Sequence, residues 1–394
     1  MRDGSPSRLS APAPSSGKGR VRHVLMSTDT SGGEWTSSLE LSRTLCGQGM
    51  WVTLATLGAP LTAAQWAEVR GVPGLHVEQS TWRSEGTLDA WEDVTAAGAW
   101  LLELESRHLP DVVHLNGYCH GALPWRRKPL VVGHACPLAR AARDARYHAE
   151  VTRGLRAAGH VVAPSHALCE SLVLQAGPLS STSIIAPARR YADFPPARLR
   201  EPFLFATGAL WDEARNLEVL EAVAPRLDWP VFVAGALEHP HGGPVRSRSL
   251  HLLGDLPPPA LADRLGRASL FVLPAREEPS GLAALDAALA GCALVLSDIS
   301  SLREMWEDAA VFVPPDDAEM WTRALRLLAS EPVLRGRLST LARTRALEFS
   351  PERMADAYVT LYGRMGELSQ RASSSQSPLA RATRGAEWGR SRVL

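Results

Sequence analysis

The chain has 394 residues, too many for one ordinary core and suited to two domains, and its 45% hydrophobic residues are ample for globular folding. Lys plus Arg and Asp plus Glu both number 42, a balance without the basic field that general nucleic-acid binding requires. Five scattered cysteines form no CxxC pair, and the only two lysines, Lys18 and Lys128, lie outside any expected pocket, which excludes Schiff-base and pyridoxal chemistry.

In chain order, residues 1–20 lack the apolar core of a secretory signal. Like residues 369–394 they are rich in Ser, Pro, Ala and Arg, and both tails are expected to be disordered. No apolar run reaches the ~18 residues of a membrane span. The unpaired cysteines suit a reducing compartment, so a cytoplasmic location is expected. The basic loop 126–128 and the Arg-bearing tail offer at most weak peripheral membrane contact.

The first strand is "VRHVLMSTD" (21–29), followed by a Ser-Gly-Gly turn and a helix from about Trp35 to Cys46. Further strands are "MWVTLATLG" (50–58), "DVVHLNG" (111–117), "PLVVGHA" (129–135), "HVVAPS" (160–165) and "SIIAPA" (183–188). Between them, residues 80–108 are expected to hold variable loops. Trp82, Trp91 and Trp100, nine residues apart, fit partial core packing and also stacking on a sugar or lipid. Four prolines in 187–202 break the rhythm and place a linker at 191–201.

Alternation restarts with "FLFATGA" (203–209), "PVFVAG" (230–235), "SLFVLPA" (269–275), "CALVLSD" (292–298) and "AAVFVP" (309–314), with helices at 257–268, 280–290, 301–307 and 317–330. These strands are apolar throughout, as parallel strands covered on both faces are. The fold class is therefore α/β, with two doubly wound Rossmann-like domains at 21–190 and 202–349. Ligands in such sheets bind beyond the carboxyl ends of the strands, and with two domains the natural site is the cleft between them.

Four stretches could carry chemistry there. In "REEPSGLAALD", Glu278 precedes a turn at Ser280–Gly281, and Asp286 lies about two turns into the helix that follows. A helix start attracts phosphate, and Gly281 permits close approach of a ligand. The same pattern fits an ordinary strand–turn–helix with Ser280 as N-cap. "TSGGEW" (30–35) places Gly32 and Gly33 where backbone N–H groups could meet a phosphate, or where a tight turn is simply needed. In "GALWDEARN" (208–216), Arg215 fits diphosphate binding and equally an ion pair with Asp212 or Glu213. His134 and His114, each at a strand end, suit a substrate hydroxyl or a structural hydrogen bond. Ser301 and Glu304 have capping-box spacing.

Together these segments resemble the retaining glycosyltransferases of family 4, which have the GT-B fold. That family's Glu, Pro-Phe-Gly-Leu and second Glu eight positions on correspond to Glu278, Pro279-Ser280-Gly281-Leu282 and Asp286. "TSGGEWTSSLELSRTLCGQGMWVTLAT" is similar to the family's glycine loop and first helix. "LFATGALWDEARNLEVLEAVAPRLDWPVFVAG" is similar to the opening of its donor domain, and "SPERMADAYVTLYGRM" to a helix at 350–368 that crosses back to the first domain.

The resemblance implies a nucleotide-sugar donor as substrate, with no cofactor and no metal. It implies that Glu278 binds donor-sugar hydroxyls, Asp286 the ribose, and Arg215 the diphosphate. Gly32 and Gly33 line the phosphates, His134 touches the transferred sugar, and Ser280, Gly281 and Leu282 form the helix tip. The acceptor, a glycan, lipid-linked or small molecule, is not implied.

The family's Arg after the glycine is here Ala209, and Asp286 is one methylene short. Losing one charge-assisted contact to a developing anion costs on the order of 3 kcal/mol. Arg189 or Arg276 is expected to compensate. The departures keep two further readings open: a catalytically impaired binding or partner protein on the same fold, and a nucleotide-sugar epimerase.

Overall fold

The computed structural model describes residues 21–375 except 88, 143, 239–242 and 244; the tail expectations for 1–20 and 376–394 lie outside the described residues. The first domain is a parallel sheet of seven strands: β1 (His23–Asp29), β2 (Trp51–Leu57), β3 (Leu75–Gln79), β4 (Val112–Asn116), β5 (Leu130–Val132), β6 (His160–Ala163) and β7 (Thr182–Ile184). The second has six: β8 (Glu201–Thr207), β9 (Val231–Ala234), β10 (His251–Leu252), β11 (Ala268–Leu273), β12 (Ala293–Ser297) and β13 (Val311–Val313).

The strand orders are β3-β2-β1-β4-β5-β6-β7 and β10-β9-β8-β11-β12-β13, and every pairing is parallel. Each order reverses direction once, at β1/β4 in the first sheet and at β8/β11 in the second. A crevice for ligands opens at the carboxyl ends of strands at such reversals.

The apolar runs explain the layering. β11 and β12 are buried along their whole length, and helices cover both faces. The helix Leu282–Leu289 buries Leu282, Ala284, Leu285, Ala287, Ala288 and Leu289 and is a core element, not a surface amphipath.

The last helix runs from Pro351 to Ser375, past the expected end at 368. Its Met354, Ala355, Tyr358, Leu361 and Tyr362 pack into the first domain's core against Leu41, Val132 and Ala188. No helix among the described residues is long and apolar enough to cross a membrane.

Several expectations change. The first helix starts at Gly32, not Trp35, and runs to Gly47. Residues 80–108 are not all loop, because Trp91–His108 is a helix with Val94, Ala97, Leu101 and Leu104 on its buried face. Trp82 and Trp100 meet edge to face at 5.5 Å, and Trp91 packs on the core, which is the packing alternative for the tryptophans. β3, β10 and the helix Pro332–Ala346 had no strong signal.

Tyr362 links the last helix to the site, with its hydroxyl 2.6 Å from His114 Nδ1. Tyr362→Phe leaves that buried nitrogen without a donor and is expected to lower stability by about 1–3 kcal/mol. An unchanged denaturant midpoint would show that the contact contributes nothing.

Candidate active site

The loop between β11 and the Leu282–Leu289 helix is built around one buried carboxylate. Glu278 is 5% exposed. Its Oε1 accepts from the Ser280 hydroxyl at 3.0 Å and from the Gly281 N–H at 2.9 Å, and its Oε2 pairs with Arg215 Nη1. The Ser301 hydroxyl donates to the Glu278 carbonyl at 2.7 Å. Gly281, not Ser280, is the N-cap, at φ 64°, and a Cβ there would sit 2.6 Å from Met305 Sδ. The first intrahelical bond is Leu285 N–H to Gly281 C=O at 2.9 Å, so the Ala283 and Ala284 N–H groups lie ahead of it at the helix mouth.

Arg215 closes a short 3-10 turn, Glu213–Arg215, after β8. Asn216 follows at φ 55° and is buried, its amide donating to the carbonyls of Pro274 (3.0 Å) and Pro315 (2.8 Å). That clamp fixes the β8 loop against the β11 loop and so sets Arg215 beside Glu278. Burial acts to lower the Arg215 pKa, but the Glu278 carboxylate, with Asp212 behind it, raises it above its ordinary value. The guanidinium stays charged. Its Nε is buried without a hydrogen-bond partner, with Asp212 3.8 Å away.

Asp286 and Arg189 form a second pair. Arg189 Nε donates to Asp286 Oδ1 at 2.7 Å, both side chains are largely buried, and the Arg189 guanidinium lies over the Phe194 ring at 5.0 Å. Burial raises the Asp286 pKa, opposed by Arg189. Arg276, by contrast, is held by Asp316 (2.9 Å) and by the Glu213 carbonyl (3.0 Å) and is half exposed. Arg189 and Arg276, the two residues expected to compensate for Ala209, thus each sit on a carboxylate, Asp286 and Asp316, as Arg215 sits on Glu278.

The first domain meets this loop across the cleft. A Cβ on Gly33 would lie 3.1 Å from Leu282 Cδ1, so the starts of the Gly32–Gly47 and Leu282–Leu289 helices face each other; Gly32 adopts φ 62°. Behind them a small pocket is lined by Ser37, Ser38, Asn116, His134, Ser280 and Tyr358 among others.

Asn116, at the end of β4, orders the pocket. Its amide NH₂ donates to Ser27 C=O (2.7 Å) and Ser38 Oγ (3.0 Å), which leaves Oδ1 to accept from His134 Nε2 (2.7 Å) and His114 Nε2 (3.3 Å). Burial pushes the His134 pKa down to about 4. Burial, with His134 adding, pushes that of His114 to about 3. Both are neutral, and His134 Nδ1 is left as an acceptor suited to a hydroxyl. His114 is a structural histidine, buried and bonded at both nitrogens.

Glu34, in the first turn of the Gly32–Gly47 helix, accepts from Asp29 N–H at 2.5 Å. Burial foremost, with Asp29 and Glu85 adding, pushes its pKa up to about 8. Glu304 closes no capping box. It crosses the cleft to accept from His166 N–H (2.8 Å), His166 Nδ1 (2.7 Å) and Ala167 N–H (3.3 Å) at the start of the His166–Ala176 helix.

The structure thus brings Glu278, Arg215, Ser280, Gly281 and Leu282 together, faces them with Gly32, Gly33 and His134, and sets Asp286 with Arg189 one step aside. Asn116, Glu34 and Glu304 were not assigned site roles from sequence. Asn116 and Glu34 do lie in the strand-end segments that were singled out.

Comparison with known proteins fits this layout. Residues 201–331 match the family model described as Glycosyl transferases group 1. A D-inositol 3-phosphate glycosyltransferase of Saccharomonospora viridis is 34% identical over 97 residues, 24% of this chain and 22% of that protein. The chain therefore aligns with less than a quarter of that curated relative. Sucrose-phosphate synthase from Thermosynechococcus elongatus superposes with a TM-score of 0.73 at 16% identity, covering 90% of this chain and all of that one (100%). Anabaena HepE in complex with UDP and glucose superposes at 0.67 and 13% identity, covering 90% of this chain and 100% of its own. The fold is that of the GT-B glycosyltransferases, two Rossmann-like domains facing across a cleft. The matched stretch, residues 201–331, lies in the second domain and spans Arg215, Glu278 and Asp286.

Glu34 yields a prediction. Its folded pKa, about 8, exceeds its ordinary value of 4.5, so the folded state binds the extra proton between those limits. Its contribution is intact below about pH 4.5 and is lost as pH rises towards 8. Glu34→Gln keeps the acceptor for Asp29 N–H, and its melting temperature relative to the parent is expected to climb across that window and level off above it. A difference independent of pH would contradict the assignment.

Proposed function

We propose that the protein is a retaining glycosyltransferase that moves a sugar from a nucleoside-diphosphate sugar to an acceptor hydroxyl. One observation carries the reading: Glu278 and Arg215 meet at the second sheet's reversal, beside a helix mouth that faces the pocket at the first sheet's reversal. A cation with an unused buried donor, and N–H groups at a helix start, suit a diphosphate.

In this reading the diphosphate takes Arg215 Nε and the Ala283 and Ala284 N–H groups. Glu278, relieved of part of its pairing to Arg215, turns an oxygen to the sugar hydroxyls. Gly32 and Gly33 admit the phosphates from the first domain, and His134 Nδ1 accepts from a sugar hydroxyl. Asp286 reaches the ribose only by sharing its carboxylate with Arg189.

The bond from the anomeric carbon to the leaving phosphate oxygen breaks, and a bond from that carbon to the acceptor oxygen forms on the same face. The acceptor's proton passes to the departing diphosphate, whose charge Arg215 and the helix mouth stabilise. Neither a metal nor a cofactor is called for, and the acceptor hydroxyl, of a glycan, a lipid-linked sugar or a small molecule, is reached from the first domain. HepE, a structural neighbour, is described in complex with UDP and glucose, so UDP-sugars are the first donors to test.

A second reading, a binding protein without turnover, is favoured by Ala209 and by the Arg189–Asp286 pair, which already uses one oxygen of the ribose carboxylate. An epimerase would convert donor with no acceptor present.

The test is a thermal-shift panel of UDP, GDP, ADP, CMP and their sugars, followed by product analysis on any stabilising donor. Transfer with retained anomeric configuration is expected. Glu278→Gln should keep nucleotide binding and lower turnover ~100-fold or more. Stabilisation without product, with activity created by Ala209→Arg, would establish the binding-protein reading instead.

Arg276→Ala should weaken nucleotide binding far less than Arg215→Gln, because Arg215, with its buried unused Nε, is the cation at the helix mouth. Equal losses in a titration would overturn that ranking.

A further inference from the structure

Three of the chain's 12 histidines gather at the pole of the first sheet opposite the cleft. His23 opens β1, His76 lies near the start of β3, and His108 ends the Trp91–His108 helix just before β4. His76 and Glu78 are two residues apart on edge strand β3, so their side chains leave the same face. Glu78 Oε1 is 2.8 Å from His108 Nε2 and 3.3 Å from His76 Nε2, and one ligand atom from each of the three lies within 4.8 Å of the others.

Two imidazole nitrogens and a carboxylate oxygen are the donor set that Zn²⁺ and similar divalent ions take. Tetrahedral ligands ~2.0–2.1 Å from a zinc ion are roughly 3.4 Å from one another, close to the two separations from Glu78. The side chains of His108 and Glu78 are partly covered, at 20% and 22% exposure, and that of His76 is open at 59%, so an ion can enter from solvent. Glu78 has one competitor, Arg107, whose Nη1 is 3.4 Å from the same oxygen; that side chain is half exposed and can swing towards its other partner, Glu103.

We propose that His76, Glu78 and His108 bind a divalent transition-metal ion, Zn²⁺ by preference, which fastens edge strand β3 to the end of the Trp91–His108 helix. Three protein ligands leave a position for water. The ion sits at the pole of the first sheet away from the cleft. It is separate from sugar transfer.

The untagged full chain, stripped with a chelator, is titrated with Zn²⁺ by calorimetry, and its melting temperature is followed in parallel. One ion per chain and a zinc-dependent rise in melting temperature are expected. His76→Ala, Glu78→Gln and His108→Ala should each weaken binding by roughly 100-fold or more, since loss of even an outer partner of a metal ligand costs 10–100-fold. Arg107→Ala should tighten it. His76 is exposed enough that its variant folds, so it carries the test if His108→Ala does not. No zinc bound by the parent chain, or equal binding by the parent and His76→Ala, overturns the proposal.

Discussion

A carboxylate buried as deeply as Glu278 is stable only when each of its oxygens is met, and the shape of the loop after β11 follows from that need. Arg215 meets one oxygen; the Ser280 hydroxyl and Gly281 N–H meet the other. Removing one member of a buried pair costs about 3–5 kcal/mol, because the other is left uncompensated. The pair therefore fixes the β8 and β11 loops relative to each other, while Asn216 fixes their backbones through the Pro274 and Pro315 carbonyls. It also holds a strong cation at the helix mouth in a form that a diphosphate can take over, since charge on an incoming phosphate replaces the charge on Glu278.

The two domains are joined by contacts of the same kind. Glu304 caps a first-domain helix, Arg189 in the run between the domains bonds Asp286, and Arg190 pairs with the buried Glu40 of the Gly32–Gly47 helix. The last helix returns to the first domain and sends Tyr362 to His114, which shares Asn116 with His134. Thus the orientation of one pocket imidazole is set by residues from β4 and the Pro351–Ser375 helix. Gly33 lies close against Leu282 where the helix starts meet, so a side chain there would have to push the Leu282 methyl aside.

The layout was legible in the sequence because its cause is local. Continuous apolar strands separated by helices can only be parallel strands covered on both faces, and Gly281 declared itself as a turn. The misreadings have a common physical origin. Ser280 looked like a cap, yet its hydroxyl serves Glu278, and Glu304 had capping-box spacing, yet its partner is 138 residues away. Nothing nearby in sequence suggested the partner of Arg276, Asp316, 40 residues on. The Trp91–His108 helix was hidden by its polar, Trp-bearing composition, although Val94, Ala97, Leu101 and Leu104 mark a helical face. Short-range spacing found the elements; long-range pairing chose the partners of Glu278, Asp286 and Glu304.

The central claim is that a diphosphate displaces part of the Arg215–Glu278 pair at the mouth of the Leu282–Leu289 helix. A crystal structure of the chain with UDP or a UDP-sugar tests it most directly. The account predicts phosphate oxygens within hydrogen-bond distance of the Arg215 guanidinium and the Ala283 or Ala284 N–H, with a Glu278 oxygen turned towards the sugar. A nucleotide bound elsewhere, with the pair as closed as before, would contradict it.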